Sequence, residues 1–341
     1  MSISVQELEK TVTELTAPGK GILAADESSG TIEKRFKAVN VASTDETRRG
    51  YRELLFSTHG LGAFISGVIL FEETLKQKTA AGVALRQLLT DQGIVPGIKV
   101  DKGTVPLPGF PGEKLTQGLD GLAQWLGEYK QLGARFAKWR AVMTIGPDIP
   151  TPQTIAANAH ALARYASLCQ EQGLVPIVEP EVLMDGDHTL ATCARVTAEV
   201  LHATFHALHQ QRVALERMLL KPSMVVPGSA CPTQVTSQQV AQATLTCLRR
   251  TVPAAVPGIF FLSGGQTETA ATANLNATNT GSERQPWVLS FSYGRALQAP
   301  VLKAWRGEAA NKMIAQQALY QRARLNSAAS QGKYTAAMEN E

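Results

Sequence analysis

The sequence is poor in the residues that mark common cofactor and export chemistries. Four cysteines, Cys169, Cys193, Cys231 and Cys247, are scattered through 341 residues with no Cys-x-x-Cys pair. That spacing argues against a disulfide framework or a zinc ribbon and points to reduced thiols. There is no Walker A sequence, since Gly19–Gly21 and Gln331–Tyr334 carry the GK pair without its framing residues. No G-x-G-x-x-G follows an apolar run either, so neither nucleotides nor dinucleotides are expected as cofactors. No stretch approaches the roughly 18 consecutive apolar residues of a membrane span. The start, MSISVQELEKTVTEL, spaces its acids amphipathically and lacks the basic stretch and apolar core of a signal or transit peptide. Cytoplasmic residence is the expectation, with no membrane partner. A net charge of +4 without a Lys/Arg block argues against nucleic acid and suits a pocket for anionic metabolites.

What is present is an ordinary globular composition, 44% hydrophobic and 18% charged. Strand-length apolar runs recur at Gly21–Ala25, Phe64–Phe71, Val95–Val100, Arg135–Trp139, Val175–Val178, Met218–Leu220, Gly258–Leu262 and Trp287–Phe291. Between them lie helix-periodic stretches such as Leu115–Leu132, Ile155–Gln172, His188–Gln211 and Ser237–Thr251. Eight alternations of strand and helix predict a parallel sheet closed into a (β/α)₈ barrel. An open doubly wound sheet is the competing architecture; it would cluster ligand groups at a switch point, whereas here nearly every run ends in a charged, hydroxyl or glycine-rich group. Extra helices are expected near Val5–Leu15 and Ala309–Ala329. No linker divides the chain, so residues 1–331 read as one barrel domain and residues 332–341, polar and aperiodic, as a flexible tail.

Residues two apart in a strand share a face. Lys138 and Arg140 therefore project together, as do Glu179 and Glu181, and Lys99 and Asp101. In a barrel these pairs fall in the mouth at the carboxyl ends of the strands, where barrel enzymes carry their chemistry. Lys221, ending the run Met218–Leu220, reads as a nucleophile if burial and a cation such as Lys138 disfavour its ammonium form; the bland alternative is a buried ion pair with Glu179 or Glu181. A carboxylate beside an amine is also what Schiff-base formation needs, since a general acid must expel water from the carbinolamine. Asp26, Ser28 and Ser29 read equally well as site residues or as a cap for the next helix. Ser263, Gly264 and Gly265, then Ser292, Gly294 and Arg295, close the seventh and eighth runs, where barrels recurrently bind phosphate. Two features read as decoys. His202, His206 and His209 fit a solvated helix face better than a metal site, and Asn276-Ala277-Thr278 is a glycosylation sequon without a secretion signal.

Taken together, GILAADES, GVILFEETL, GIKVDKG, TQGLDGL, FAKWR, IVEPE, LLKPSM, LRRTVP, FLSGGQ, SFSYGRALQ and QGKYT resemble class I fructose-bisphosphate aldolase from about Gly19 to Thr335. The resemblance implies a metal-independent lyase with no cofactor, cleaving fructose 1,6-bisphosphate reversibly into two triose phosphates in glycolysis or gluconeogenesis. It implies that Lys221 forms the iminium and that Glu179 is the principal acid and base. Asp26 would hold the hydroxyl at the scissile bond, Lys138 would stabilise charge on the intermediates, and Glu181 would support Lys221. Phosphate contacts would fall to Ser263, Gly264, Gly265, Ser292, Gly294 and Arg295, with Ser28, Arg35, Lys99 and Arg140 towards the other phosphate. A homotetramer is implied too. Sedoheptulose 1,7-bisphosphate on the same site, or a non-catalytic scaffold, are the alternatives. Three departures stand out: Thr31 replaces the serine usual in animal enzymes, and Ser223 replaces the asparagine usual two residues after the lysine. The sequence also has no tyrosine after Tyr334, whereas many members end in one that assists proton exchange at C3. Help from water, phosphate or another residue is the expectation for that step.

Overall fold

The computed structural model describes residues 5–281 and 284–341. Helix α1 (Val5–Leu15) precedes β1 (Gly21–Ala25), then α2 (Ser29–Lys37), α3 (Asp45–Phe56), β2 (Ile65–Leu70), α4 (Glu72–Lys76), α5 (Leu85–Thr90) and β3 (Val95–Lys99). A hairpin of β4 (Thr104–Pro106) and β5 (Lys114–Thr116) leads to α6 (Leu122–Gln131), β6 (Phe136–Met143), α7 (Pro152–Glu171), β7 (Val175–Val182) and α8 (Leu190–Gln210). The order closes with β8 (Leu219–Leu220), α9 (Ser237–Thr251), β9 (Gly258–Phe261), α10 (Glu268–Asn279), β10 (Val288–Tyr293), α11 (Arg295–Trp305) and α12 (Lys312–Ala329). Eight strands close in the order β1-β10-β9-β8-β7-β6-β3-β2, all parallel. This is the (β/α)₈ barrel expected from the alternation.

Period-two alternation sorts each strand into an inner and an outer face. On β6, Phe136 joins the apolar barrel interior with Val95, Val175, Ile177, Leu219 and Phe260, while Trp139 turns outward onto Tyr165, ring centroids 5.6 Å apart. Helix α1 caps that interior from the amino-terminal end through Leu8, Val12 and Leu15. Phe136 needs the space left by glycine on β3, since a Cβ on Gly97 would stand 2.2 Å from its ring. The outer helices start where threonine side chains accept backbone N–H bonds: Thr151 from Thr154, Thr189 from Thr192, Thr236 from Gln239 and Thr267 from Ala270.

Three expectations shift. Strands β6 and β7 run on to Met143 and Val182, because strand geometry continues through the charged residues that end the apolar runs. The stretch expected to be helical from Leu115 begins instead with β5, paired antiparallel to β4 through Val105 and Leu115. Residues 332–341, expected to form a flexible tail, lie against α12 and α10 here: Tyr334 N–H donates to Asn276 (3.0 Å), Gln321 to the Met338 carbonyl (3.1 Å), and Arg322 pairs with Glu339 at 2.5 Å. The four cysteines are free and buried.

Candidate active site

The carboxyl ends of the strands converge on a cavity of about 630 Å³ whose lining includes every residue singled out from the sequence as catalytic or phosphate-binding. Asp26 follows β1, Lys99 ends β3, Lys138 and Arg140 lie on β6, Glu179 and Glu181 on β7, and Lys221 follows β8. Register explains the meeting of β6 and β7, with Lys138 opposite Ile177 and Arg140 opposite Glu179. Lys221 is fixed by its own N–H, which donates to the Val178 carbonyl at 2.8 Å. A second opening of about 650 Å³ lies at the other end of the barrel around Arg249, Arg284 and Trp287; its described lining carries neither lysine nor carboxylate.

At the centre is a buried chain of alternating charge. Lys221 Nζ lies 3.2 Å from Glu179 Oε1, Lys138 Nζ 3.1 Å from Glu179 Oε2, and Lys138 Nζ 2.8 Å from Asp26 Oδ2. Glu179 Oε2 is close to Lys138 in charge but not aligned for a hydrogen bond, and has no hydrogen-bond partner among the described residues. Burial alone would push Asp26 up, but Lys138, Lys221 and Lys99 outweigh it and hold its carboxyl well below the usual range. Burial likewise opposes the charge on Lys138, yet Asp26 and Glu179 hold its pKa above the ordinary lysine value. Lys138 is thus a fixed cation.

The rim divides into two sides. Lys99 pairs with Asp101 (2.7 Å), and Asp101 also accepts from the Arg140 N–H at 3.2 Å. Arg140 binds Glu181 at 2.5 Å, so Glu181 engages that guanidinium; Lys221 has its ion pair with Glu179. On the opposite side Ser292 is buried with its Oγ unpartnered among the described residues, an orphan hydroxyl aimed at the cavity. Gly265 has φ +78°, and a Cβ there would stand 2.6 Å from Met184 Sδ, so the turn after β9 requires glycine. Gly294 and Arg295 open α11, whose first N–H groups add a partial positive charge. Ser28 sits at the N-cap of α2 without capping it; its hydroxyl meets Thr31 Oγ1 at 3.1 Å.

Arg35, expected with the distant phosphate contacts, stands beside Gly294 instead, its Nη2 3.8 Å from where a Gly294 Cβ would lie. Glu27, Lys34, Leu183, Asp185 and Leu262 line the cavity and were not signalled by the sequence. Glu27 hides between Asp26 and Ser28, and two of its partners, Arg52 and Gln298, are far along the chain. His202, His206 and His209 are exposed along α8, away from the mouth. Among the described residues no group of three or more His, Cys, Asp or Glu side chains is placed to hold a metal.

Comparison with known proteins decides the family. The family model of class-I fructose-bisphosphate aldolase, the glycolytic enzyme, matches residues 7–341. The chain belongs to that family. It is 55% identical to a probable class 1 fructose-bisphosphate aldolase of Xanthomonas campestris pv. campestris, covering 97% of this chain and 99% of that protein. It is 56% identical to the fructose-bisphosphate aldolase of Dictyostelium discoideum, covering 96% and 93% respectively. The aldolase of Plasmodium falciparum, solved with TRAP and a small-molecule inhibitor, superposes with a TM-score of 0.95 at 54% identity over 97% of this chain and 96% of that one. The activity is that of a class I fructose-bisphosphate aldolase, a carbon–carbon lyase of glycolysis acting on sugar bisphosphate and triose phosphates.

Proposed function

We propose that Lys221 is the Schiff-base nucleophile of this aldolase and that Glu179 moves the protons around it. The observation that carries this reading is the 3.2 Å approach of Lys221 Nζ to Glu179 Oε1 on the cavity floor. The free amine adds to C2 of fructose 1,6-bisphosphate, and Glu179 gives a proton to the resulting hydroxyl, which leaves as water. The protonated iminium is then the electron sink. When the C3–C4 bond breaks, its electron pair flows into the iminium to form an enamine, and the C4 hydroxyl proton passes to Glu179. Asp26, held anionic, orients that hydroxyl, while Lys138 stabilises the negative charge that develops between the two carboxylates. Glyceraldehyde 3-phosphate leaves, C3 of the enamine takes a proton, and water releases dihydroxyacetone phosphate from Lys221.

Phosphate assignments follow from reach. C1 is bonded to the carbon held by Lys221, so its phosphate belongs to the neighbouring turns after β9 and β10: Ser263, Gly264, Gly265, Ser292, Gly294 and Arg295. The C6 phosphate lies across the mouth, towards Ser28, Lys99 and Arg140. Arg35 joins the first set on the strength of its position beside Gly294. Glu181 acts by holding Arg140. A cytoplasmic homotetramer is the setting proposed from the family; among the described residues no helix is long and apolar enough to cross a membrane. Borohydride reduction in the presence of dihydroxyacetone phosphate, followed by peptide mass mapping, tests the assignment. An adduct on the peptide containing Lys221, lost in Lys221→Met, is expected. An adduct elsewhere, or none, overturns it.

A further inference from the structure

Glu27 is a buried carboxylate at the mouth for which the reaction above has no task. One oxygen accepts from Arg35 and from Gln298 Nε2 (2.8 Å); the other pairs with Arg52 at 2.5 Å. The Gln298 amide is itself fixed, donating to the Ala24 carbonyl (2.7 Å) and accepting from the Tyr51 hydroxyl (3.1 Å). The two guanidiniums differ sharply in freedom: the Arg52 side chain is 3% exposed, that of Arg35 25%. Arg52 therefore has to keep its counter-ion, because an unpaired buried charge is strongly destabilising. Glu27 is committed to it. One carboxylate then faces two cations, and the surplus positive charge sits on Arg35, whose Nη1 is on Glu27 while Nη2 points towards Gly294.

We propose that Glu27 is a positioning residue for phosphate binding. It grips one edge of the Arg35 guanidinium so that the other edge faces a phosphate monoester in the cradle of Ser292, Gly294 and Arg295, and Arg52 and Gln298 hold Glu27 in place. The inference rests on the phosphate assignment made above and extends it to a residue that touches no substrate. Without the carboxylate, Arg35 and Arg52 repel each other, and Arg35, the only one with a route to solvent, swings out of the cradle. Binding then has to draw it back.

The test uses the full-length enzyme and inorganic phosphate as a competitive inhibitor, a probe that does not depend on Schiff-base chemistry. In Glu27→Gln the inhibition constant for phosphate and the KM for fructose 1,6-bisphosphate should each rise about tenfold, the scale of one charge-assisted hydrogen bond, with a much smaller change in kcat. Fructose 1-phosphate should show the same KM rise, because Arg35 serves the C1 end. The effect should vanish in an Arg35→Ala background, which a merely structural role for Glu27 would not produce. If Glu27→Gln fails to fold, Glu27→Gln with Arg52→Met removes the buried pair together and should show a smaller loss in the same direction, since the grip on Arg35 is gone but the repulsion from Arg52 is gone too. Unchanged or tighter phosphate binding, or an equal penalty with Arg35 absent, overturns the proposal. Borohydride trapping on Lys221 reports separately on the nucleophile, so failure of that assignment and failure of this one are distinguishable.

Discussion

The two ends of the barrel use the same inward-facing rows of side chains for opposite purposes. On β7 the row reads Val175, Ile177, Glu179, Glu181; on β6 it reads Phe136, Lys138, Arg140. The amino-terminal half of each row is apolar and sealed by α1, while the carboxyl-terminal half opens into a cavity and is charged. Burial therefore stabilises the fold at one end, whereas at the other charges are held out of bulk water only by pairing with each other. Chemistry and stability should accordingly separate along a strand within about four residues. Glu179→Gln tests the upper half: kcat should fall by about 10²–10⁴, the usual contribution of a general acid–base group. Its thermal midpoint should fall as well, because Lys138 and Lys221 lose a shared buried counter-ion, so the two halves are told apart by kcat. Equal losses of activity from the two ends would break the comparison.

Phe136→Ala tests the lower half. The ring is fully buried, packed over Gly97 and Gly67, and its loss should cost about 3–5 kcal/mol of unfolding free energy by denaturant titration. The folded fraction should keep its KM and kcat nearly intact. Between the two ends lies Ser223, whose buried hydroxyl donates to the Val182 carbonyl at 2.8 Å and ties the end of β7 to the chain after Lys221. Ser223→Ala should cost about 1 kcal/mol, the net worth of one such bond. If the tie sets the distance between Lys221 and Glu179, kcat should fall several-fold with KM unmoved, placing Ser223 with the upper half; an unchanged kcat places it with the lower.

That division also explains what the sequence revealed. Apolar runs marked all or the lower part of every barrel strand, so the alternation, the closure and the positions of Lys138, Glu179 and Lys221 were legible from spacing alone. The same signal hid the upper halves of β6 and β7, where strand geometry persists after hydrophobicity stops. The β4–β5 hairpin was missed because two three-residue strands, one ending in Pro106, are too short to show a period. Glu27 was illegible for a different reason. Its partners Arg52 and Gln298 lie on α3 and α11; no local pattern joins Glu27 to a residue 25 positions on, and only the pairing of β1 with β10 brings Gln298 to it. Arg52 is a charged residue on the buried side of an amphipathic helix, which was the one available hint.

The smallest predicted effect concerns acid. Burial would raise Glu27, but Arg52 and Arg35 outweigh it and hold its folded-state pKa below the ordinary glutamate value. A carboxyl depressed by folding contributes stability that is fully present above its unfolded pKa of about 4.3 and is lost as pH falls below that value towards the folded one. Glu7, at the sealed end, is also lowered, chiefly by its hydrogen bond and charge contact with Lys130, but its side chain is 56% exposed and that of Lys130 39%, so solvent screening leaves little. Both replacements should be followed by urea unfolding at a series of pH values below neutrality. Removing Glu27 together with Arg52 should flatten the fall of unfolding free energy below pH ~4 by up to about one proton per molecule, since the folded state no longer resists protonation at that position. Glu7→Gln should leave the slope almost unchanged. A larger change from Glu7 than from Glu27 would mean that the charges at the mouth are better solvated than their burial implies, and that the two ends of the barrel differ in composition but not in electrostatic environment.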